Sequence, residues 1–251
     1  MKILLSNDDG FDAPGLLALK NALEDLGEVW VVAPHSEQSA KSHSFTMNEP
    51  LRILEHGPRF FAVTGTPADC VYLACHHVLP SRPDLVVSGI NRGSNLSTDV
   101  HYSGTVAAAR EGTSMDIPSI AVSLYLRSGQ QPDWRAAQHY TRQIAEKVLV
   151  HGLPRAMLLN LNVPNLPPEQ VRGLQVCPAG RRYYHPYVAV NTDPRGKRYF
   201  WIGGEHDRFD DAPGSDGPLC EEGWATLTPL QMDPTAHSFL PQLKRWWTTP
   251  A

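Results

Sequence analysis

Short apolar runs alternate with amphipathic stretches through the first 162 residues of the chain. The apolar runs are almost continuous, which is typical of strands that helices cover on both faces. The stretches between them carry apolar residues at helical spacing. This succession predicts an α/β fold in which βα units build a mostly parallel sheet with helices on both faces. The predicted strands are Lys2–Ser6, Val29–Ala33, Leu85–Ser88, Ser119–Ser123 and Met157–Leu161.

Residue types at segment ends predict helix boundaries and one hairpin. Leucines at helical spacing precede Gly27, which suits the position that follows a helix. Thr66 followed by Pro67 is typical of the cap and the first residue of a helix. The apolar stretches Leu51–Leu54 and Phe60–Val63 flank a Gly-Pro pair, which predicts a small antiparallel hairpin.

The pattern changes after Pro164, where the chain becomes rich in proline, glycine and aromatic residues and loses helical periodicity. Between Glu205 and Glu222, seven acidic residues stand against one basic residue, and we predict a mobile loop or arm here. Apolar residues at helical spacing between Phe239 and Trp247 predict a terminal amphipathic helix. Such an arm is too small to bury a hydrophobic core of its own, so we expect it to pack against another surface, such as that of a second subunit.

The chain has 251 residues, of which 41% are hydrophobic, so it can bury a sizeable core. We expect residues 1–165 to form that core, and residues 166–251 to form an extended arm, a loop and a terminal helix that serve oligomerisation. The 22 Lys and Arg against 26 Asp and Glu give a net charge of −4. Because this charge attracts neither a nucleic acid polymer nor an anionic membrane, any anionic substrate must be held by local groups.

Signals of secretion and membrane insertion are missing from the sequence. No apolar run approaches the ~20 residues of a membrane span. The first apolar run ends at Asn7, too early for a signal peptide. The four cysteines lack zinc-ribbon spacing and suit free thiols in a reducing compartment. We therefore expect a cytoplasmic protein.

Ligands in open α/β sheets bind beyond the carboxyl ends of the strands, so the residues that follow each strand are the first candidates for a site. Four polar clusters are candidates for a site. Three of them follow predicted strands, and the fourth lies just before a predicted helix. They are Asn7–Gly10, Pro34–Ser39, Gly89–Asn95 and His101–Thr105.

Asp8 and Asp9 are adjacent carboxylates at the end of the first strand, and the glycine after them allows a turn in which both converge. Two such carboxylates repel each other, and a divalent cation is the natural compensating charge. The Ser39 hydroxyl and the Asn95 amide oxygen are further candidate ligands. An all-oxygen shell favours Mg²⁺ or Mn²⁺, with Ca²⁺ as an alternative, over Zn²⁺. The first cluster also suits a simple turn closed by an Asx hydrogen bond.

Ser103, Gly104 and Thr105 precede an alanine-rich stretch that favours helix. A helix start with unpaired N–H groups, two hydroxyls and a glycine suits phosphate binding, and an ordinary helix cap is the alternative. The chain has no P-loop lysine here, and it lacks the dinucleotide fingerprint, the zinc-protease motif and the nucleophile elbow. Dehydrogenase, zinc-protease and α/β-hydrolase functions therefore lose their main support.

Several motifs, taken in order, resemble the SurE family, the stationary-phase survival proteins that act as nucleoside-monophosphate phosphatases. The resemblance covers most of residues 1–165. Its motifs are Ser6–Gly10, Thr64–Cys70, Pro83–Asn91, Tyr102–Thr105 and Leu161–Pro164. Two positions depart from the family pattern, since Ala40 and Ala107 stand where glycine is usual or frequent. Alanine restricts positive φ, so the loop that carries Ser39 is expected to differ in shape, which affects metal affinity.

The resemblance implies a Rossmann-like core and one divalent metal ion per subunit, held by Asp8, Asp9, Ser39 and Asn95. It implies hydrolysis of nucleoside 5′-monophosphates, with 3′-monophosphates and short polyphosphate as further substrates. It also implies a homodimer or homotetramer in which C-terminal segments are exchanged between subunits.

Metal-assisted hydrolysis of a phosphomonoester is therefore our hypothesis. Asp8 and Asp9 are expected to be catalytic as metal ligands, and Asp8 is also a candidate nucleophile or base. Asn91 is expected to be catalytic and to hold phosphate oxygens together with the N–H groups of Ser103–Thr105. His101 is a candidate proton donor.

Two other functions remain open at this point. The chain could be a regulator that binds a nucleotide or phosphate without hydrolysing it. A different metal hydrolase, such as a deacetylase, also uses paired aspartates after a first strand. That function normally requires histidine ligands, for which His35 and His101 are the candidates.

Overall fold

Nine strands form one sheet, and two more form a separate antiparallel hairpin, in the part of the chain that the computed structural model describes, residues 1–210 and 212–248. The strands are β1 (Lys2–Ser6), β2 (Glu28–Pro34), β3 (Ile53–Gly57), β4 (Phe60–Val63), β5 (Leu85–Arg92), β6 (Ser119–Tyr125), β7 (Met157–Pro164), β8 (Leu174–Val176), β9 (Arg182–Thr192), β10 (Arg198–Phe209) and β11 (Ala225–Gln231). The helices are α1 (Pro14–Leu23), α2 (Pro67–Leu73), α3 (Gly104–Ser114), α4 (Arg135–His151), α5 (Asp216–Glu221) and α6 (Leu240–Thr248). None of these helices is both long and apolar enough to cross a membrane.

The sheet has the order β3-β4-β2-β1-β5-β6-β7-β11-β8, and the six strands from β4 to β7 in this order run parallel to one another. Ile3 and Leu5 of β1 pack in one core cluster with the buried faces of α1 and α4. Leu4 packs in a second cluster with residues of α2 and α3. Since successive strand residues point to opposite faces, helices cover both sides of the sheet. The predicted α/β fold is confirmed.

Thr66 caps α2 as the sequence predicts. Its hydroxyl accepts the Asp69 N–H at 3.2 Å, and the Asp69 carboxylate accepts the Thr66 N–H at 2.9 Å, so the two residues form a capping box. The predicted antiparallel hairpin is confirmed as β3 and β4.

Gly27 does not follow the end of a helix, because α1 already ends at Leu23. A Cβ atom on Gly27 would lie 2.7 Å from the carbonyl oxygen of Met1. The glycine is therefore needed for a close approach between two backbone segments, and the prediction that it caps α1 is wrong.

Strands β8 and β11 join the central sheet although both follow residue 165, in the region expected to form the arm, loop and terminal helix. β11 pairs antiparallel with β7, with Thr226 opposite Asn162. Pro229 inside β11 disfavours a strand at the sequence level, because proline cannot donate a ladder hydrogen bond. It is tolerated here because β8 pairs only with Ala225–Leu227, so Pro229 lies where one side of β11 is an open edge.

The hairpin of β9 and β10 and the helix α6 confirm the predicted arm and terminal helix. Both elements leave large apolar side chains exposed. Those of the hairpin are Tyr184, Tyr187, Val188, Val190, Tyr199, Phe200, Trp201 and Ile202, and those beside or within α6 are Phe239, Trp246 and Trp247.

The prediction of one mobile loop or arm for the acidic stretch from Glu205 to Glu222 is wrong for Asp216–Glu221, which form helix α5, whereas residues 205–209 belong to the hairpin of the arm. Asp211 lies outside the described residues. β10 continues to Phe209, and α5 begins at Asp216. Asp216 is completely buried and accepts four hydrogen bonds. An acidic composition normally indicates charged side chains that lie in solvent. Asp216 is instead buried, and hydrogen-bond donors compensate the energetic cost of burying its charge.

Candidate functional site

A cavity of about 1030 Å³ opens at the carboxyl ends of β1, β2 and β5. Side chains from all four predicted polar clusters line it, as expected for ligand groups that follow the strands. The predicted site residues among its lining are Asp8, Asp9, Ser39, Asn91, Asn95 and Ser103.

Asp8 is only 5% exposed and lies against the start of α3. The Thr105 hydroxyl donates to Asp8 Oδ1, and the Thr105 backbone N–H also acts to lower the pKa of this carboxylate. Burial raises the pKa of Asp8 to about 6; the Thr105 hydroxyl opposes the rise and the charge of Asp9 adds to it. The positive end of helix α3 thus stabilises a carboxylate of the protein itself.

Asp9 points into the same cavity, and its Oδ2 accepts the backbone N–H of Arg92 at 3.0 Å. Burial raises the pKa of Asp9, and the charge of Glu37 adds to this rise. The first cluster also forms a turn, in which Asn7 Nδ2 donates to the Gly10 carbonyl at 2.8 Å. The Asx hydrogen bond of the alternative interpretation is not formed, because Asn7 Oδ1 accepts no hydrogen bond from the described residues. Turn and paired carboxylates coexist in the same four residues.

Asn95 is held by a buried polar network. Its Nδ2 donates to Ser123 Oγ at 2.8 Å, its backbone N–H donates to Asn162 Oδ1 at 2.8 Å, and its carbonyl accepts the amide of Asn160 at 2.8 Å. Because Nδ2 is used in this way, Oδ1 is the side-chain atom of Asn95 that remains available as a ligand.

Ser39 lies in the loop that follows β2, and its hydroxyl donates to Glu37 Oε1 at 2.8 Å. This hydrogen bond leaves the oxygen lone pairs of Ser39 available for a cation. Glu37 also lines the cavity, and the sequence interpretation missed it although it belongs to the same cluster.

The start of α3 differs from a simple phosphate cradle. Ser103 caps the helix by accepting the Val106 N–H at 3.0 Å. Thr105 is fully buried with its hydroxyl bonded to Asp8, and a Cβ on Gly104 would lie 2.7 Å from Asp8 Cβ. The structure thus shows Gly104 and Thr105 supporting Asp8, whereas their role in binding phosphate stays a prediction.

The two histidines that are candidate metal ligands of a deacetylase do not join the predicted cation ligands in the cavity. His101 is exposed, and His35 stacks on Phe11 with ring centroids 5.7 Å apart; neither belongs to the described lining of the cavity. The described residues contain no group of three or more His, Cys, Asp or Glu arranged to hold a metal ion. A metal site here depends on hydroxyl and amide oxygens in addition to carboxylates.

The donor set fits a hard divalent cation. Asp8 and Asp9 each accept an orienting hydrogen bond at one carboxylate oxygen. The amide group of Asn95 is oriented by the hydrogen bond that its nitrogen donates, which leaves its oxygen available. Such contacts fix the ligand atoms before a cation binds. Oxygen donors of this kind suit Mg²⁺ or Mn²⁺.

Further cavity residues come from segments outside the four polar clusters. Asp99 and Tyr184 line the cavity, and the Tyr184 hydroxyl donates to Asp99 at 2.7 Å. Arg182 of the arm pairs with Asp99 at 2.6 Å. Trp134 and Pro132 form an apolar part of the lining. No local signal marks these residues, because each depends on contacts between distant parts of the chain.

The cavity carries an excess of negative charge. Its described lining includes five carboxylates, those of Asp8, Asp9, Asp12, Glu37 and Asp99, and one basic residue, Arg92. Arg182 neutralises Asp99 from outside the lining, which leaves four carboxylates near the predicted cation site.

Ala40 occupies a strained position next to Ser39. Its φ of 57° is the left-handed conformation that alanine tolerates poorly, whereas Ala107 lies inside the regular helix α3. We expect Ala40→Gly to raise the free energy of unfolding by up to about 1 kcal/mol, as measured in urea. Ala156, at φ 58° and outside the described cavity lining, is the matched control.

Both alanine-to-glycine variants are expected to be more stable than the parent, and only Ala40→Gly is expected to change the affinity for Mn²⁺. A loss of stability in Ala40→Gly would show that the left-handed conformation is not a source of strain.

Comparison with known proteins gives a consistent result. The family model described as survival protein SurE matches residues 3–186. The chain is 47% identical to the 5′-nucleotidase SurE of Geobacter sulfurreducens, over 98% of this chain and 94% of that protein. It is 48% identical to the 5′-nucleotidase SurE of Pelobacter propionicus, over 98% and 99%. The crystal structure of the SurE protein from Aquifex aeolicus superposes with a TM-score of 0.85 at 40% identity, covering 98% of this chain and all of that one.

Proposed function

The chain belongs to the SurE family, and from this membership we propose that it is a phosphatase that hydrolyses nucleoside 5′-monophosphates to nucleoside and phosphate. The observation that carries the proposal is the convergence of Asp8, Asp9, Ser39 and Asn95 in one cavity. Relatives named 5′-nucleotidase over nearly the whole chain supply the substrate class.

We propose further that each subunit holds one divalent cation, Mg²⁺ or Mn²⁺ with Ca²⁺ as an alternative, through Asp8, Asp9, Ser39 and Asn95. When bound, such a cation would offset charge on the phosphoryl oxygens and lower the pKa of a bound water. Thr105 and the Arg92 N–H orient the two carboxylates, and Ser123 orients the Asn95 amide.

Asn91 and Ser103 would hold the remaining phosphate oxygens. Both line the cavity, and Asn91 Nδ2 is fixed by a 2.8 Å bond to the Gly93 carbonyl, with a second amide hydrogen to donate. Donors fixed in this way stabilise the charge that develops on phosphoryl oxygens without reorganising during the reaction.

Release of inorganic phosphate from AMP and GMP, with Mn²⁺ or Mg²⁺ added and with EDTA added, tests this function. We expect cation-dependent release that EDTA abolishes. A panel with 3′-AMP and short polyphosphate defines the range of substrates. Binding of AMP without phosphate release would instead favour a nucleotide-binding regulator, and zinc-dependent activity on acetylated compounds alone would favour a deacetylase.

Trp134 is expected to contact the nucleobase. The cavity is larger than a cation and a phosphate require, and Trp134 with Pro132 provides an apolar surface within it. Because stacking of a base on an aromatic ring contributes about 1–3 kcal/mol, we expect Trp134→Ala to raise the KM for AMP by a factor of about 5–150.

Steady-state kinetics with AMP and with ribose 5-phosphate, which lacks the base, checks this expectation. Trp134→Phe is the control variant, since it keeps an aromatic face. An equal rise of KM for both substrates in Trp134→Ala would contradict contact with the base.

The arm and α6 support a further proposal, that the protein works as a homodimer or homotetramer with exchanged C-terminal segments. Exposed aromatic side chains such as Trp201, Trp246 and Trp247 form apolar surface of the kind that subunit contacts cover. Light scattering after gel filtration would give the number of chains. We also propose a cytoplasmic location, since all four cysteines are free thiols in the structure, as suits a reducing compartment.

A further inference from the structure

Asp216 is a completely buried carboxylate at the first residue of α5. It accepts the Ser97 N–H and the Ser97 hydroxyl, each at 2.7 Å, the Gly180 N–H at 3.0 Å and the Gly217 N–H at 2.8 Å. All four donors are uncharged groups. Because a buried carboxylate is costly unless donors surround it, these four contacts hold three distant chain segments together around one side chain.

Ser97 lies two residues after Asn95 and begins the short 3-10 helix Ser97–His101 that leads to Ser103. Its φ is 57°, a left-handed conformation that costs a non-glycine residue energy and persists only when surrounding contacts fix it. Asp216 provides such contacts, since its two oxygens accept the backbone N–H and the side-chain hydroxyl of this one residue.

The same carboxylate also attaches the beginning of the arm. Oδ1 accepts the Gly180 N–H, and two residues later Arg182 pairs with Asp99 inside the 3-10 helix. The segment from Asn95 to Ser103 is thus held at Ser97 by Asp216 and at Asp99 by Arg182. Both contacts come from the C-terminal region of the chain.

We infer that Asp216 is a positioning residue, which fixes Asn95 and the start of α3 relative to Asp8 and Asp9. The C-terminal segment is then part of the support of the cation site. This inference rests on the proposed function, because it assumes that Asn95 binds the cation. Groups that orient metal ligands typically contribute a factor of 10–100 to metal affinity.

Asp216→Asn tests the inference with little change of shape. Whichever way the new amide lies, its NH₂ group faces at least one N–H donor that the carboxylate accepted. We expect the Kd of the variant for Mn²⁺ to be about 10–100 times that of the parent. Electron paramagnetic resonance measures this Kd, because it detects the concentration of free Mn²⁺ in a titration. We also expect the Mn²⁺ concentration that gives half-maximal AMP hydrolysis to rise by a similar factor. A general loosening of the fold would lower the active fraction and leave this concentration unchanged.

Asp69→Asn is the matched control. Asp69 is also buried, and it accepts the N–H and hydroxyl of one residue, Thr46 at 3.1 and 2.6 Å, and the N–H of Thr66 at 2.9 Å. Asp69 lies outside the described lining of the cavity. We expect this variant to lose stability and to keep the Mn²⁺ affinity of the parent within a factor of about 3.

The inference is overturned if Asp216→Asn binds Mn²⁺ as the parent does, or if Asp69→Asn weakens binding equally. Should Asp216→Asn fail to fold, Ser97→Ala decides, since it removes a single donor and is expected to weaken Mn²⁺ binding by a smaller factor. Failure of the proposed function has a different signature: the parent would bind Mn²⁺ and release no phosphate, while the comparison of Mn²⁺ affinities would still decide the role of Asp216.

Discussion

Replacement of Asp8 or Asp9 by asparagine is expected to lower the rate of AMP hydrolysis by a factor of at least about 10³, because loss of a cation ligand forfeits several kcal/mol of charge stabilisation. The fold should remain intact. Asp12→Asn is the matched control, since Asp12 lines the same cavity at an exposed position and we assign it no ligand role. An Asp9→Asn variant that hydrolyses AMP in the presence of EDTA as fast as the parent does with Mn²⁺ would contradict the proposed cation site.

Stability measurements separate this loss of activity from damage to the fold. In the metal-free protein, burial raises the pKa of Asp8 from its ordinary value of 3.8 to about 6. A raised acid pKa contributes stability that is present at low pH and is lost as the pH rises through the folded-state pKa. The parent should therefore lose about 2 kcal/mol relative to Asp8→Asn between pH 4 and pH 8.

Urea unfolding in EDTA at both pH values measures this difference directly. Above pH 6 the inactive Asp8→Asn variant is expected to be at least as stable as the active parent, since it no longer buries a charged carboxylate beside Asp9. A variant that is less stable than the parent at pH 8 would show that ionised Asp8 supports the metal-free fold.

Gly104→Ala is expected to damage the site through shape alone. A methyl group on Gly104 would lie 2.7 Å from Asp8 Cβ and 2.9 Å from Asp8 Oδ2, closer than such atoms approach. Either Asp8 or the start of α3 must move. Overpacking of this kind costs about 1–3 kcal/mol of stability, and displacement of a catalytic group by about 1 Å is associated with a 10²-fold loss of rate.

Ala107→Gly provides the control for this variant in the same helix. Glycine inside a helix costs about 1 kcal/mol relative to alanine, and residue 107 introduces no new contact with Asp8. Both variants are expected to lose comparable stability in urea, and only Gly104→Ala should lose AMP hydrolysis. Equal loss of activity in the two variants would mean that general destabilisation, rather than the position of Asp8, limits the rate.

The part of the structure that the sequence predicts well is the part that depends on local pattern. Continuous apolar runs identify the five central strands, and Thr66 and Pro67 mark the beginning of α2. The polar residues after the strands predict the cavity, because parallel strands deliver their carboxyl ends to one edge of the sheet. These features follow from residues that are neighbours in the sequence.

The features that sequence analysis misses depend on contacts between distant residues. The four donors around Asp216 turn an acidic stretch into a buried helix start, and the pairing with Arg182 places Asp99 at the cavity. Gly27 looks like a helix terminator, yet its role is to leave room for the carbonyl of Met1. Composition and spacing contain no information about such partners.

The surplus of carboxylates in the cavity has a consequence for the order in which ligands arrive. Four acidic side chains, with Arg92 as the single basic group of the described lining, repel an incoming phosphate ester and attract a cation. Electrostatics alone therefore favours an ordered encounter, in which the cation enters first and reverses the sign of the local potential before the nucleotide approaches. For the same reason, the phosphate that cleavage produces is expected to stay in the cavity only while the cation is bound.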